Sequence, residues 1–244
     1  MLRRLYEYLV FYAGLVLFGL PILIWSLCAA VLYLLLPRKV SAPLGQHAIC
    51  TLFNSFLMAL KASGLVKFDL VALDALREER SLIIAPNHPS LIDVVLVVSR
   101  LPHVVCIMKA EIEDNLIFGG GARLAHYIRN NSSLAMIRSA ASAVRSGSQL
   151  LVFPEGTRTL QGPINSFKGG FALIAKSAGA PVQTVFIESN SPFLGKGWPL
   201  LKKPAFPLIY RARLGQRFEV NGDVKTFVSN LECYYRETLG NIST

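Results

Sequence analysis

Two short polar stretches in this chain combine residue types that can move a proton and hold an anion. In SLIIAPNHPSLIDVV, an apolar run that reads as a strand (Ser81–Ala85) gives way to Pro86, Asn87 and His88. Pro89 and Ser90 then open a helix that carries Asp93. Five residues across a helix start let the carboxylate reach one imidazole nitrogen. That fixes the tautomer and leaves the other nitrogen free to take a proton from a hydroxyl. Read alone, the pair is equally a capping aspartate beside a surface histidine. In QLLVFPEGTRT, a second strand (Leu150–Phe153) ends in Pro154, Glu155, Gly156, Thr157 and Arg158. Gly156 permits close approach of backbone to a ligand. Thr157 offers a hydroxyl and a backbone N–H, and Arg158 a bidentate fork suited to phosphate. Lys168, before Gly169-Gly170, sits at another anion-favouring helix start. An ordinary strand-to-loop turn and a solvated loop are the plain alternatives.

Both stretches fall beyond the carboxyl end of a strand, where α/β sheets bind ligands. The rest of the chain fits such a sheet. Short apolar runs recur at Val66–Leu73, Leu82–Ala85, Val104–Met108, Leu150–Phe153, Val182–Ile187 and Leu208–Leu214. Helical stretches fall between several of them (Leu91–Arg100, Ser139–Ser146, Gly169–Ser177), and this alternation predicts an α/β fold with helices on the sheet faces. Gln46–Ser63 has the apolar spacing of an amphipathic helix, and Asp223–Leu239 closes the domain as a capped helix.

Of 244 residues, 52% are hydrophobic and only 16% charged, against roughly 25% charged in a soluble domain. Disorder is excluded by that apolar content. The excess is concentrated between Glu7 and Arg38, thirty residues without a formal charge. That run is too long for a signal peptide, whose apolar region is about 7–15 residues, and predicts a retained membrane segment. Pro21 divides it into Tyr8–Leu20 and Ile22–Leu36, each too short to span, and both ends are basic. The expectation is a helix–Pro–helix hairpin dipping into one leaflet, with a tilted single span as the alternative. Residues 38–244 carry +9 of the net charge of +10, which points to anionic lipid headgroups. The basic residues are dispersed and no nucleic-acid-binding motif is visible, so nucleic acid is not expected as a partner. Cys28, Cys50, Cys106 and Cys233 are scattered, form no C-x-x-C pair and read as small buried residues. Asn190–Pro207, with Trp198, Lys202 and Lys203, is a lid, an interfacial loop or a plain surface connection.

Asn87, His88 and Asp93 in an N-H-x-x-x-x-D pattern, followed by F-P-E-G-T-R at Phe153–Arg158, resemble the glycerolipid acyltransferases. The closest resemblance is to bacterial 1-acyl-sn-glycerol-3-phosphate acyltransferases, over about residues 66–190. Lys109-Ala110-Glu111 and Phe167–Gly170 look like further segments of that family. The resemblance implies an α/β core with a mixed sheet flanked by helices (1–40 as membrane anchor, 41–244 as acyltransferase domain). It implies transfer of an acyl group from acyl-CoA or acyl-carrier protein to the hydroxyl of a lysophospholipid. By default the acceptor is 1-acylglycerol-3-phosphate and the product phosphatidic acid. His88 is the implied general base, oriented by Asp93, without an acyl-enzyme, cofactor or metal. Asn87, Lys109, Arg129, Glu155, Gly156, Thr157, Arg158 and Lys168 are the implied substrate-side residues, Glu155 by ordering its loop. The implied location is the cytoplasmic membrane, with the catalytic domain on the cytoplasmic face. There the glycosylation triplets Asn130-Asn131-Ser132 and Asn241-Ile242-Ser243 carry no weight.

Two segments depart from the family pattern. The second motif, usually G-x-x-F-I-x-R, reads Leu124-Ala125-His126-Tyr127-Ile128-Arg129-Asn130, with the arginine one residue early. On a strand that shift turns a side chain to the opposite face. The fourth motif, Ala180–Val185, has lost its second proline. The residues for chemistry are intact and those for the acceptor are altered, so another lipid acceptor of a specialised pathway stays open. A hydrolase or transacylase using the same His–Asp pair is the alternative reaction, although no G-x-S-x-G occurs. A silent lipid-binding protein is the non-enzymatic alternative.

Overall fold

The computed structural model describes residues 1–115, 117–130 and 134–240. Residues 131–133 and the 241–244 tail, and with them part of the first glycosylation triplet and all of the second, lie outside the described residues. Seven strands form one sheet: β1 (Val66–Asp69), β2 (Leu82–Pro86), β3 (Val104–Lys109), β4 (Ile128–Asn130), β5 (Gln149–Leu151), β6 (Val182–Ser189) and β7 (Leu208–Phe218). Their order is β1-β7-β6-β2-β5-β3-β4. Every neighbouring pair is parallel except β6–β7, so the sheet is mixed. β2 sits mid-sheet, and all five of its residues are buried, as a parallel strand covered on both faces requires.

Helices α1 (Leu2–Leu35), α2 (Arg38–Ala62) and α3 (Asp93–Val98) cover one face, packing on Ile84, Cys106, Leu151 and Val185. Between β3 and β4 lie two short helices, α4 (Ala110–Glu113) and α5 (Gly119–Leu124). On the other face α6 (Leu134–Arg145), α7 (Gly170–Ala178) and α8 (Val224–Gly240) pack on Ile83, Val105, Leu150 and Val182. The alternation of Ile83 and Ile84 between the two cores follows from the strand period of two.

The break expected at Pro21 is absent. α1 runs uninterrupted through it, and the chain turns at Leu36-Pro37 instead, pairing α1 with α2. Pro21 forfeits one backbone hydrogen bond, while Phe11, Gly14, Ile22, Ser26 and Ala29, all buried, dock one face of α1 along its length. α1 makes its most extensive helix contacts with α5. There Gly120 donates its N–H to Ser26 Oγ at 2.9 Å, and a Cβ at Gly120 would collide with the Ser26 backbone. At the other end of α1, Lys203 Nζ pairs with Glu7 Oε2 at 2.8 Å. At about 50 Å, α1 is long and apolar enough to cross a membrane. The cysteine reading holds for Cys50 and Cys106; Cys28 and Cys233 are exposed, on α1 and α8.

Candidate active site

The two polar stretches meet at the carboxyl ends of β2 and β5, which are adjacent in the sheet. His88 Nδ1 lies 2.9 Å from Asp93 Oδ2, and Ser90 donates its backbone N–H to the same oxygen at 2.7 Å. Asp93, the first residue of α3, is wholly buried. Its Oδ1 has no hydrogen-bond partner among the described residues. Burial pushes the carboxyl up to about 6, against the opposing pull of His88 and the Ser90 N–H. The imidazole stacks on Phe153, with ring centroids 3.8 Å apart and planes 19° apart. Nδ1 and one ring face are therefore occupied, and the side chain remains 12% exposed.

Glu155 is 99% inaccessible and its oxygens serve the chain itself. Oε1 accepts the His88 backbone N–H at 2.8 Å, Oε2 the Asn165 N–H at 2.7 Å, and both lie near Thr159 Oγ1. Thr159 in turn donates its N–H to the His88 carbonyl at 2.8 Å. Glu155 thus orders the loop, the role expected of it. Asn87, expected on the substrate side, does not line the cavity beside His88. Its amide donates to Ile187 O at 2.9 Å and accepts the Ile187 N–H at 2.7 Å, so it ties the histidine loop to β6.

A cavity of about 520 Å³ opens beside His88 between the sheet and helices α1, α2, α3 and α5. Its deep walls are apolar, with Phe18, Ile22, Leu52, Val95, Ile107 and Phe118 among them. Lys109, Gly156, Thr157 and Arg158 line it as expected, together with His88 and Asn130. Gly156 needs its glycine because φ is +68°. Arg158 Nη1 donates to the carbonyls of Leu194 and Gly195 at 2.8 and 2.9 Å. No Asp or Glu lines the cavity among the described residues, and no three of their His, Cys, Asp and Glu side chains are grouped so as to hold a metal ion.

Two expected substrate-side residues are elsewhere. Arg129 on β4 faces away and pairs with Asp114, at 3.0 Å, and with Glu113. The strand period puts Asn130, not Arg129, on the cavity side. Lys168 is exposed and does not line the cavity; its N–H donates to Pro154 O at 2.8 Å, and its side chain lies against Gly156. Sequence reasoning missed Lys196, which lines the cavity from the 190–207 loop. It also read α1 only as an anchor, although Phe18, Ile22 and Trp25, spaced 4 and 3 apart on one helix face, wall the cavity.

The acyltransferase family model matches residues 67–188, half of the chain, including the loops that carry His88, Asp93 and Arg158. With the mixed sheet and the paired N-H-x-x-x-x-D and P-E-G-T-R loops, this places the chain in the acyltransferase family. It is similar to the 1-acyl-sn-glycerol-3-phosphate acyltransferase beta of Homo sapiens, 30% identical over 148 residues, 57% of this chain and 52% of that protein. It is also similar to the 1-acyl-sn-glycerol-3-phosphate acyltransferase of Cocos nucifera, 38% identical over 103 residues, 39% of this chain and 33% of that one. The matches thus span about half of the first of these relatives and a third of the second. The fold is that of the 1-acyl-sn-glycerophosphate (LPA) acyltransferase PlsC of Thermotoga maritima. Its crystal structure superposes with a TM-score of 0.72 at 20% identity, over 100% of this chain and 97% of that one.

Proposed function

We propose that the protein is a membrane-bound O-acyltransferase that esterifies the free hydroxyl of a lysophospholipid, by default 1-acylglycerol-3-phosphate, to give phosphatidic acid. The observation that carries this reading is the His88–Asp93 pair opening onto an apolar cavity with a cationic rim. Asp93 holds Nδ1–H of His88, and Nε2 takes the proton of the acceptor hydroxyl. The oxygen attacks the thioester carbonyl of acyl-CoA or acyl-carrier protein, forming a C–O bond. Collapse of the tetrahedral intermediate breaks the C–S bond, and the thiolate leaves with the proton from His88. No acyl-enzyme forms. The apolar cavity suits the acyl chain, and Lys109, Arg158 and Thr157 suit an acceptor phosphate.

The exposed stripe of α1, Leu9, Val16, Leu20, Leu27, Val31 and Leu34, faces opposite its docked side. This favours seating residues 1–40 in one leaflet of the cytoplasmic membrane, with residues 41–244 on the cytoplasmic face where thioesters are made. Asn130 at the position of the family's arginine favours a second acceptor as the competing reading. Purified protein in mild detergent, given radiolabelled acyl-CoA, separates these. Transfer to 1-acylglycerol-3-phosphate supports the default. Transfer only to lysolipids with capped or missing phosphate establishes the second, and release of free fatty acid alone defeats both.

A further inference from the structure

We propose that Lys196 supplies the cation that Arg129 withdraws, binding the acceptor's phosphate from the loop after β6. The proposal rests on the acyl-transfer reading above and adds a specificity-determining residue to it. Arg129 is engaged by Asp114 and Glu113 outside the cavity, and Asn130 occupies the cavity side of β4. An uncharged amide there leaves Lys109 and Arg158 as the expected cations at the rim. Lys196 is the third, and neither it nor Lys109 forms an ion pair among the described residues.

Its placement is built rather than incidental. The three carbonyls before it are held by the two loops that carry His88 and Arg158, the middle one by both. Ser90 Oγ donates to Phe193 O at 2.8 Å. The Leu91 N–H donates to Leu194 O at 3.0 Å. Arg158 Nη1 donates to both Leu194 O and Gly195 O. Leu194 is held at φ +59°, a conformation a leucine adopts only when its surroundings impose it. A Cβ at Gly195 would press on the Pro192 carbonyl at 2.9 Å. The backbone of Lys196 is thus fixed relative to both His88 and Arg158, while its side chain remains exposed at the rim. With no carboxylate lining the cavity, an anion is the ligand this arrangement favours.

The test is steady-state kinetics on the full chain in detergent micelles, with acyl-CoA and 1-acylglycerol-3-phosphate varied separately. Lys196→Gln raises the acceptor KM by about tenfold, the loss expected for one charge-assisted contact. Its kcat, donor KM and melting temperature stay within error of wild type. Lys196→Arg restores the acceptor KM, and Arg129→Ala leaves it unchanged. An unchanged acceptor KM in Lys196→Gln overturns the proposal. So does a raised donor KM in its place, which would assign the lysine to the donor's phosphates. Equal damage from Lys196→Arg also overturns it, since that would mark a role in loop structure. A wild type that transfers no acyl group to this acceptor instead refutes the functional reading on which the proposal stands.

Discussion

The carboxylate of Glu155 accepts the backbone N–H of His88 at 2.8 Å, joining residues 67 apart in the chain. The same carboxylate accepts the Asn165 N–H and the Thr159 hydroxyl. One buried carboxylate therefore fixes the histidine loop against the P-E-G-T-R loop, so His88 and Arg158 are positioned by a single group.

Glu155→Gln tests that coupling. An amide can still accept at one oxygen, but its NH₂ meets donors, leaving at least one buried N–H unsatisfied at about 1–3 kcal/mol. For a chain of this size each kcal/mol lowers the melting temperature by about 2–4 °C. The expected result is a fall of several degrees with a lower kcat and an acceptor KM near wild type. A fall in affinity alone would return Glu155 to the substrate.

The pH dependence follows from Asp93, whose carboxyl burial raises from 3.8 to about 6. In the proposed mechanism the protonated carboxyl below pH 6 no longer supports the imidazolium formed as His88 takes a proton, so kcat/KM is expected to fall on an acid limb near that value. Stability moves the other way. Between pH 6 and 3.8 the native state binds a proton that the unfolded chain does not, so this group makes the fold more stable as pH falls. Activity should drop before any unfolding is seen by circular dichroism. Asp93→Asn should cost about 10²–10⁴ in kcat at pH 7.5, measured against a donor KM that does not change.

Docking of α1 on α5 depends on the missing side chain at Gly120. Gly120→Ala sets a methyl against the Ser26 backbone and should cost about 1–3 kcal/mol as an overpacked contact. Gly19→Ala, with open space around it, should be neutral or stabilising by up to about 1 kcal/mol from helix propensity. Thermal denaturation of the two variants in the same detergent reads the difference. Equal melting temperatures would mean that α1 is not held on the core.

Strands with several consecutive apolar residues, such as β2, β3 and β6, were legible from composition, and so was the arrival of His88 and Arg158 at strand ends. β4 was not, because three residues with two exposed ones carry no period to read. α5 was hidden by Gly119-Gly120-Gly121, a run of poor helix formers that is helical because it must pass close to Glu113, Ser26 and Trp25. Pro21 predicted a break that tertiary packing overrides. Lys196 carried no local signal, since only the folding of the 190–207 loop onto Ser90, Leu91 and Arg158 brings it to the site.

The proposed function stands or falls with His88 as the base for acyl transfer to a lipid hydroxyl. The direct measurement is single-turnover transfer of radiolabelled acyl-CoA to 1-acylglycerol-3-phosphate by wild type and His88→Ala, both shown to be folded by their melting temperatures. Expected are phosphatidic acid from wild type, a loss of about 10²–10⁴ in the variant, and no labelled protein in either. Undiminished transfer by His88→Ala, or label trapped covalently on the wild-type chain, would contradict it.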